Sequence, residues 1–223
     1  MTQCVNVPSL LDNTPMLVHA VVPIKPIAFG KRRLAQALSP RERQLLIVAM
    51  LGHVIDVLHG TQRVAGVHVL TSDPGLVPDT CEHMNETSTG LNVALSMTAE
   101  ILERQNVKRL LILPADLPYL RTEDLDALFD AARNHSVVIA PDASESGTNA
   151  LLLTPPTLMM PLFGPSSFEA HLRAARSSGH SLSVIHHPGL QKDIDNPEDL
   201  DRLRRHPPAV RFAFLSRGMF EAS

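Results

Sequence analysis

The chain has 223 residues, a formal net charge of −3, 44% hydrophobic and 19% charged residues, and two cysteines. These are globular values, and they exclude a general nucleic-acid footprint and a disulfide framework. No apolar stretch approaches the ~20 residues of a membrane span and no basic region precedes an apolar core at the start, so a soluble, cytoplasmic protein without signal peptide or membrane partner is expected.

Residues 1–15 show no sustained periodicity and read as a flexible tail. A single domain is expected over 16–205 and an apolar C-terminal tail over 206–223. The first strand is read at Met16–Ile24, followed by a basic connection, Pro26–Leu38, with Lys31, Arg32 and Arg33. Ser39, Pro40 and Glu42 compose a capping box with proline in the first turn. Leu45, Val48, Leu51, Ile55 and Leu58 then recur at helical spacing up to Gly60.

Val64–Leu70 is a second strand that runs into Thr71-Ser72-Asp73, and a helix is expected over Leu91–Arg104. Leu110–Leu113 reads as a strand buried on both faces, and it leads to Asp116 at the edge of the sheet. Pro118 is expected to stop that strand. Thr122 is expected to cap the next helix, with Glu123 and Asp124 in its first turn. Val137–Ala140, Ala150–Leu153 and Leu182–Ile185 are strands. Ser166 and Glu169 suggest a capping box for a helix that stops at Gly179, and Asn196 caps a last helix opened by Pro197. The end, with Phe212, Phe214 and Phe220, is too apolar for a solvated tail. It packs either on its own domain or on a second subunit, which makes a homodimer one candidate assembly.

Strands alternating with helices predict an α/β, Rossmann-like fold: a mostly parallel mixed sheet with helices on both faces. The strand-rich stretch from Val137 to Ile185 predicts a local antiparallel addition.

Two acidic sites carry the chemistry. Asp116 ends an apolar strand where open α/β sheets bind ligands, and a lone carboxylate there is costly without a partner. In Asp193-Ile194-Asp195, an extended backbone points both carboxylates to one face; the alternative is that Asp195 belongs only to a helix cap. Together these oxygens suit a hard divalent cation such as Mg²⁺. Lys25 and Lys31 would neutralise phosphate, unless the loop is merely solvated. Gly164-Pro165-Ser166-Ser167 is an anion site at a helix start or a plain cap. Gly147-Thr148-Asn149 precedes a strand, and Gly90-Leu91-Asn92 is a turn or an amide that reads a base edge. Neither G-x-G-x-x-G, nor a P-loop, nor a serine elbow is present. The eleven histidines show no metal spacing and read as core or surface.

Taken in order, seven stretches resemble one family. They are Pro23-Ile24-Lys25-Pro26 with Lys31–Leu34, Ser72-Asp73, Gly90-Leu91-Asn92, Leu113–Pro118, Gly147–Leu151, Phe163–Phe168 and Asp193–Leu200. The family is the 2-phospho-L-lactate guanylyltransferases of coenzyme F-420 biosynthesis, of nucleotide-diphospho-sugar transferase (glycosyltransferase-A-like) fold. Its members differ in using 2-phospho-L-lactate, phosphoenolpyruvate or 3-phospho-D-glycerate.

The resemblance implies a nucleotidyltransferase that moves GMP from GTP to such an acid, with Mg²⁺ as cofactor. Lys25, Lys31 and Asp116 would be catalytic. Thr148, Gly164 and Ser167 would hold the acid; Asp73, Gly90, Leu91, Asn92 and Pro114 the nucleotide; Asp116, Asp193 and Asp195 the metal. The chain departs from the family pattern at Ser146, where glycine is usual, and in the arginines of Lys31-Arg32-Arg33. A sugar-phosphate nucleotidyltransferase or D-x-D glycosyltransferase is the alternative, and a non-catalytic nucleotide-binding module the lesser one.

Overall fold

The computed structural model describes residues 16–27, 30–86 and 90–215. The tail expected at 1–15, and Phe220 with the rest of 216–223, lie outside the described residues. In chain order the elements are β1 (Val18–Pro23), α1 (Pro40–His59), β2 (Val64–Thr71), β3 (Glu82–Asn85), α2 (Leu91–Arg104), β4 (Leu110–Ile112), α3 (Thr122–Ala131), β5 (Val137–Pro141), β6 (Thr148–Leu153), α4 (Ser167–Ser177), β7 (Leu182–Val184) and α5 (Pro197–Arg205). Among the described residues no helix is long and apolar enough to cross a membrane.

The strands form one sheet in the order β3-β2-β1-β4-β6-β5-β7. All neighbours are parallel except β6, which is antiparallel to both β4 and β5. This is the mixed sheet expected, with the antiparallel addition in the strand-rich stretch. The chain steps outward from β1 to β2 and β3, then returns to place β4 on the other side of β1. Such a reversal opens a crevice at the carboxyl ends of β1 and β4.

The strands' period of two sorts their side chains between two cores. Val18, Ala20 and Val22 of β1, with Leu111 and Leu152, face Leu51, Val54, Ile55 and Leu58 of α1 and Leu125, Leu128 and Phe129 of α3. Val21, Leu110, Ile112, Ile139 and Leu151 face Ala94, Leu95, Ala99 and Leu102 of α2 and Phe168, Leu172 and Ala175 of α4. A third core lies off the sheet. It joins Leu34 and Leu38 after β1, Leu46 and Met50 of α1, Ile194, Leu200 and Leu203, and Phe212.

Several local expectations are corrected. The apolar stripe of α1 is rotated: Leu45 and Val48 are exposed, while Leu46, Ile47 and Met50 are buried. The third core adds a second buried face to that helix. β4 ends at Ile112, earlier than Pro118 would require, because Pro114 has no N–H and the Leu113 N–H makes the last ladder-like bond, to Val21 O at 3.0 Å. Asp116 therefore sits in the loop beyond the strand.

Thr122 does not cap α3. Arg121 holds the N-cap position, and the Asp124 carboxylate accepts its backbone N–H at 2.6 Å. Ser166 does not cap α4 either, because its left-handed backbone (φ 55°) is not the extended conformation a capping side chain needs. Thr148 and Asn149 belong to β6 rather than preceding it. The described part of the apolar C-terminal segment does not stand free: Val210–Leu215 forms a 3-10 helix that seats Phe212 in the third core.

Candidate active site

Three segments far apart in sequence converge at the crevice. β1 hands over to the basic loop, where Lys31 takes a left-handed backbone (φ 47°, ψ 40°) ahead of a 3-10 turn, Arg32–Leu34. That conformation costs a non-glycine residue about 1 kcal/mol. Three residues on, Leu34 is anchored in the third core. The acidic segment is anchored beside it, for Ile194 is fully buried in the same core. Extended geometry then turns the flanking Asp193 and Asp195 the other way. Apolar packing thus brings Lys31 to Asp195.

Lys31 Nζ donates to Asp116 Oδ2 at 2.6 Å and to Asp195 Oδ1 at 2.9 Å. Its side chain is only 11% exposed. Burial alone would lower the ammonium pKa, but the Asp116 and Asp195 carboxylates outweigh it and hold the group above the ordinary lysine range. Asp193 completes a set of three carboxylates, each offering an oxygen within 4.8 Å of the others. Burial first, then the Asp116 and Asp195 charges, push Asp193 up to about 6. Three acids face one ammonium, so the cluster keeps an excess of negative charge. An all-oxygen donor set this crowded fits a hard divalent cation. Arg33 approaches Asp195 at 3.8 Å but is largely exposed, and that contact carries little energy.

Lys31, Asp116 and Asp195 of the cluster open onto a cleft of about 450 Å³. Lys25, Lys31, Asp116, Asp195, Leu91 and Pro114, each expected at a site, line it; Asp193 lies behind them. Asp73, Gly90, Asn92, Thr148, Gly164 and Ser167 do not line it. Asp73 Oδ1 accepts the Gly75 N–H at 3.1 Å and caps a short turn. Gly90 precedes α2 at φ 96°, a conformation glycine adopts without strain. The Asn92 amide grips the Phe163 backbone from both sides, accepting its N–H at 2.8 Å and donating to its C=O at 2.9 Å.

Thr148 and Ser167 are buried around a residue the sequence had not singled out, His171. His171 Nε2 accepts the Leu162 N–H at 2.8 Å, so the proton of the neutral ring sits on Nδ1. Nδ1–H then donates to Thr148 Oγ1 at 2.9 Å. Burial pushes this imidazole down to about 4, which keeps it neutral. Gly164 lies at φ 139° in the loop before α4. At Ser146, the backbone N–H donates to Asp142 Oδ1 at 2.9 Å, inside a turn wound around that carboxylate with Ser144 and Gly147.

A second residue is Asp124, 2% exposed, which the sequence offered only as an acid in a helix first turn. Its carboxylate accepts from Arg121 N, from Gly189 N at 3.2 Å and from His187 Nδ1. It ties the loop that follows Asp116 to the loop that precedes Asp193. Gly189 has to be glycine, since a Cβ would stand 2.0 Å from Asp124 Oδ2 and 2.7 Å from Tyr119 O. Asn149 Nδ2 holds the Leu190 carbonyl of the same loop at 2.8 Å. The only signal in the sequence was an acid in a helix first turn, which reads equally well as a dipole partner.

The chain matches a family model described as "Guanylyl transferase CofC like" over residues 18–210. It is 36% identical over 197 residues to the phosphoenolpyruvate guanylyltransferase of Sphaerobacter thermophilus, covering 86% of this chain and 95% of that one. It is 33% identical over 200 residues to the 2-phospho-L-lactate guanylyltransferase of Methanothermobacter thermautotrophicus, covering 86% of each. A crystal structure from Desulfovibrio desulfuricans G20, provisionally named a nucleotide-diphospho-sugar transferase, superimposes with a TM-score of 0.77 at 12% identity, over 91% of this chain and 95% of that one. That last likeness concerns the fold.

Proposed function

The chain belongs to the CofC-like guanylyltransferase family, a family of nucleotidyltransferases, and on that premise we propose that it transfers GMP from GTP to the phosphate of a three-carbon phospho-acid. The observation that carries this reading is that the Lys31–Asp116–Asp195 cluster, with Asp193 behind it, opens onto the cleft.

A phosphate oxygen of the acid attacks the α-phosphorus of GTP. The bond from that phosphorus to the bridging oxygen breaks, and pyrophosphate leaves with the electron pair. The attacking phosphate is already ionised near neutral pH, so no strong general base is required. Among the described residues the cleft lining holds no serine–histidine pair, in keeping with that. What the reaction needs is alignment of two anions that repel each other and neutralisation of their charge. Lys31 supplies a cation fixed by two carboxylates, and Lys25, exposed at the end of β1, supplies a movable one. Asp116, Asp193 and Asp195 would hold Mg²⁺, which supplies Lewis-acid stabilisation of phosphoryl charge when bound. Thr148 and Ser167, with Gly164, are the groups we assign to the acid. The His171 contact leaves the Thr148 O–H free to donate.

Relatives are named for phosphoenolpyruvate and for 2-phospho-L-lactate, so both acids head the acceptor panel, with 3-phospho-D-glycerate as the third. The test is pyrophosphate release by pure protein with GTP and Mg²⁺, each acid offered separately and the product identified by mass. A guanylylated acid is the expected product. Turnover with CTP or UTP in place of GTP would favour the sugar-nucleotidyltransferase reading, and binding without turnover across the panel the non-catalytic one.

A further inference from the structure

The cleft lining holds acids that follow well-separated strands, Asp116 beyond β4 and Glu86 after β3. Asp116 and Asp195 are compensated by Lys31, whereas Glu86 is engaged by no ion pair or side-chain hydrogen bond among the described residues. A nucleoside triphosphate carries several negative charges, so an uncompensated carboxylate in its site is unfavourable unless it meets donors. We propose that Glu86 reads the base, its carboxylate accepting from N1–H and from the 2-amino group of guanine. This rests on the reading of the cleft as a GTP site.

The placement fits. Glu86 directly follows β3, and its backbone N–H is fixed to Thr71 O at 3.2 Å. Strand order puts β3 two positions from β1 and three from β4, which at the usual strand spacing is roughly 10 to 14 Å. That is the order of the span from an α-phosphorus to the pairing edge of its base. The same lining includes the apolar Ile24, Leu91, Pro114 and Phe163, suited to the faces of a flat ring. Phe163 is held there by Asn92, whose amide is committed to that task rather than to a base edge.

The chemistry selects guanine. Its N1–H and exocyclic N–H lie side by side and match the two oxygens of a carboxylate, a charge-assisted pair. Adenine and cytosine present an acceptor beside their donor, and uracil a single N–H between two carbonyls. Each would leave Glu86 facing a lone pair.

The test compares wild type with Glu86→Ala and Glu86→Gln, measuring kcat and KM with GTP, ITP and ATP at saturating Mg²⁺ and acid, together with thermal melting. ITP lacks the 2-amino group alone, so the GTP/ITP ratio reports that contact and is insensitive to general loosening of the fold. Wild type is expected to prefer GTP over ITP by about 10-fold or more. Glu86→Ala should lose about 100-fold in kcat/KM for GTP, mostly through KM, with a GTP/ITP ratio near one. Glu86→Gln, which keeps one acceptor, should fall between. A GTP/ITP ratio that survives in Glu86→Ala overturns the assignment while leaving the guanylyltransferase reading intact. A wild type that turns over CTP or UTP but not GTP overturns both.

Discussion

Two polar clusters differ in where they sit: one in loops beyond the carboxyl ends of the strands, the other on the strands themselves. At the carboxyl ends, Lys31 bridges Asp116 and Asp195 with Asp193 behind them. On the strands, His19 Nδ1 meets His68 Nε2 at 2.9 Å, and His68 Nδ1 meets Glu82 Oε2 at 3.2 Å. Burial shifts groups in both: Asp193 up, His19 and His68 down. In each case burial disfavours the charged form. The outcomes differ because the inventories differ. The histidines can discharge and hydrogen-bond as neutral rings, and the Glu82 carboxylate stays in solvent. Three carboxylates and one ammonium cannot cancel, and the surplus charge faces a cleft. An excess of one sign beside an open cavity marks a ligand site more reliably than a perturbed pKa alone.

Substitutions at the two clusters should therefore act on different observables. Asp116→Ala should show the largest effect, about a 1,000-fold loss of kcat/KM with melting close to wild type, since a proposed metal ligand is lost but little packing. Near-normal turnover in saturating Mg²⁺ would remove Asp116 from the site. Lys31→Met should cost roughly 100-fold in rate, because the charge fixed by two carboxylates disappears; steady-state pyrophosphate release measures it. Asp124→Ala lies between the two behaviours. It leaves backbone donors of two loops unpaired, so urea denaturation should show about 3 kcal/mol of destabilisation, accompanied by a rate loss of roughly 10-fold as the acidic segments loosen.

His68→Gln should have the smallest effect on catalysis, leaving kcat at neutral pH within about two-fold, because the ring lies outside the cleft. It should instead change how stability depends on pH. Burial holds the folded-state pKa of His68 below 6.5, so the unfolded chain takes up the proton first as pH falls. The stability contribution is thus complete above about 6.5 and is lost below it. Melting curves between pH 7 and 5 should show a shallower decline in His68→Gln than in wild type. An unchanged slope would mean that the ring is protonated in the folded state as readily as in the unfolded one.

Signals that act over a few residues were legible in the sequence. The Ser39–Glu42 capping box forms, Asn196 caps the last helix, and α2 spans the expected Leu91–Arg104. The Asp193-Ile194-Asp195 alternation worked because Ile194 has a core to enter. Thr122 and Ser166 misled because a cap depends on backbone angles that residue type does not fix. Leu45 and Val48 misled because the direction of an apolar stripe is set by what packs on it, and the third core was not visible in advance. Asp124, His171 and Glu86 each looked like one ordinary polar residue among many.

The sequence by itself determined the inventory: an apolar strand leading to Asp116, a paired acid, a basic loop and motifs in an order that resembles one family. Only the tertiary structure decided which charges meet. Lys31 reaches partners 85 and 164 residues away, and no local rule pairs positions so distant. The reason is that the ions do not assemble themselves. The burial of Leu34, Ile194 and Phe212 in a common core sets the positions of Lys31 and Asp195, and hydrophobic contact is non-directional along the chain. Local pattern records which residues prefer to be buried, and the fold alone determines which of them share a core.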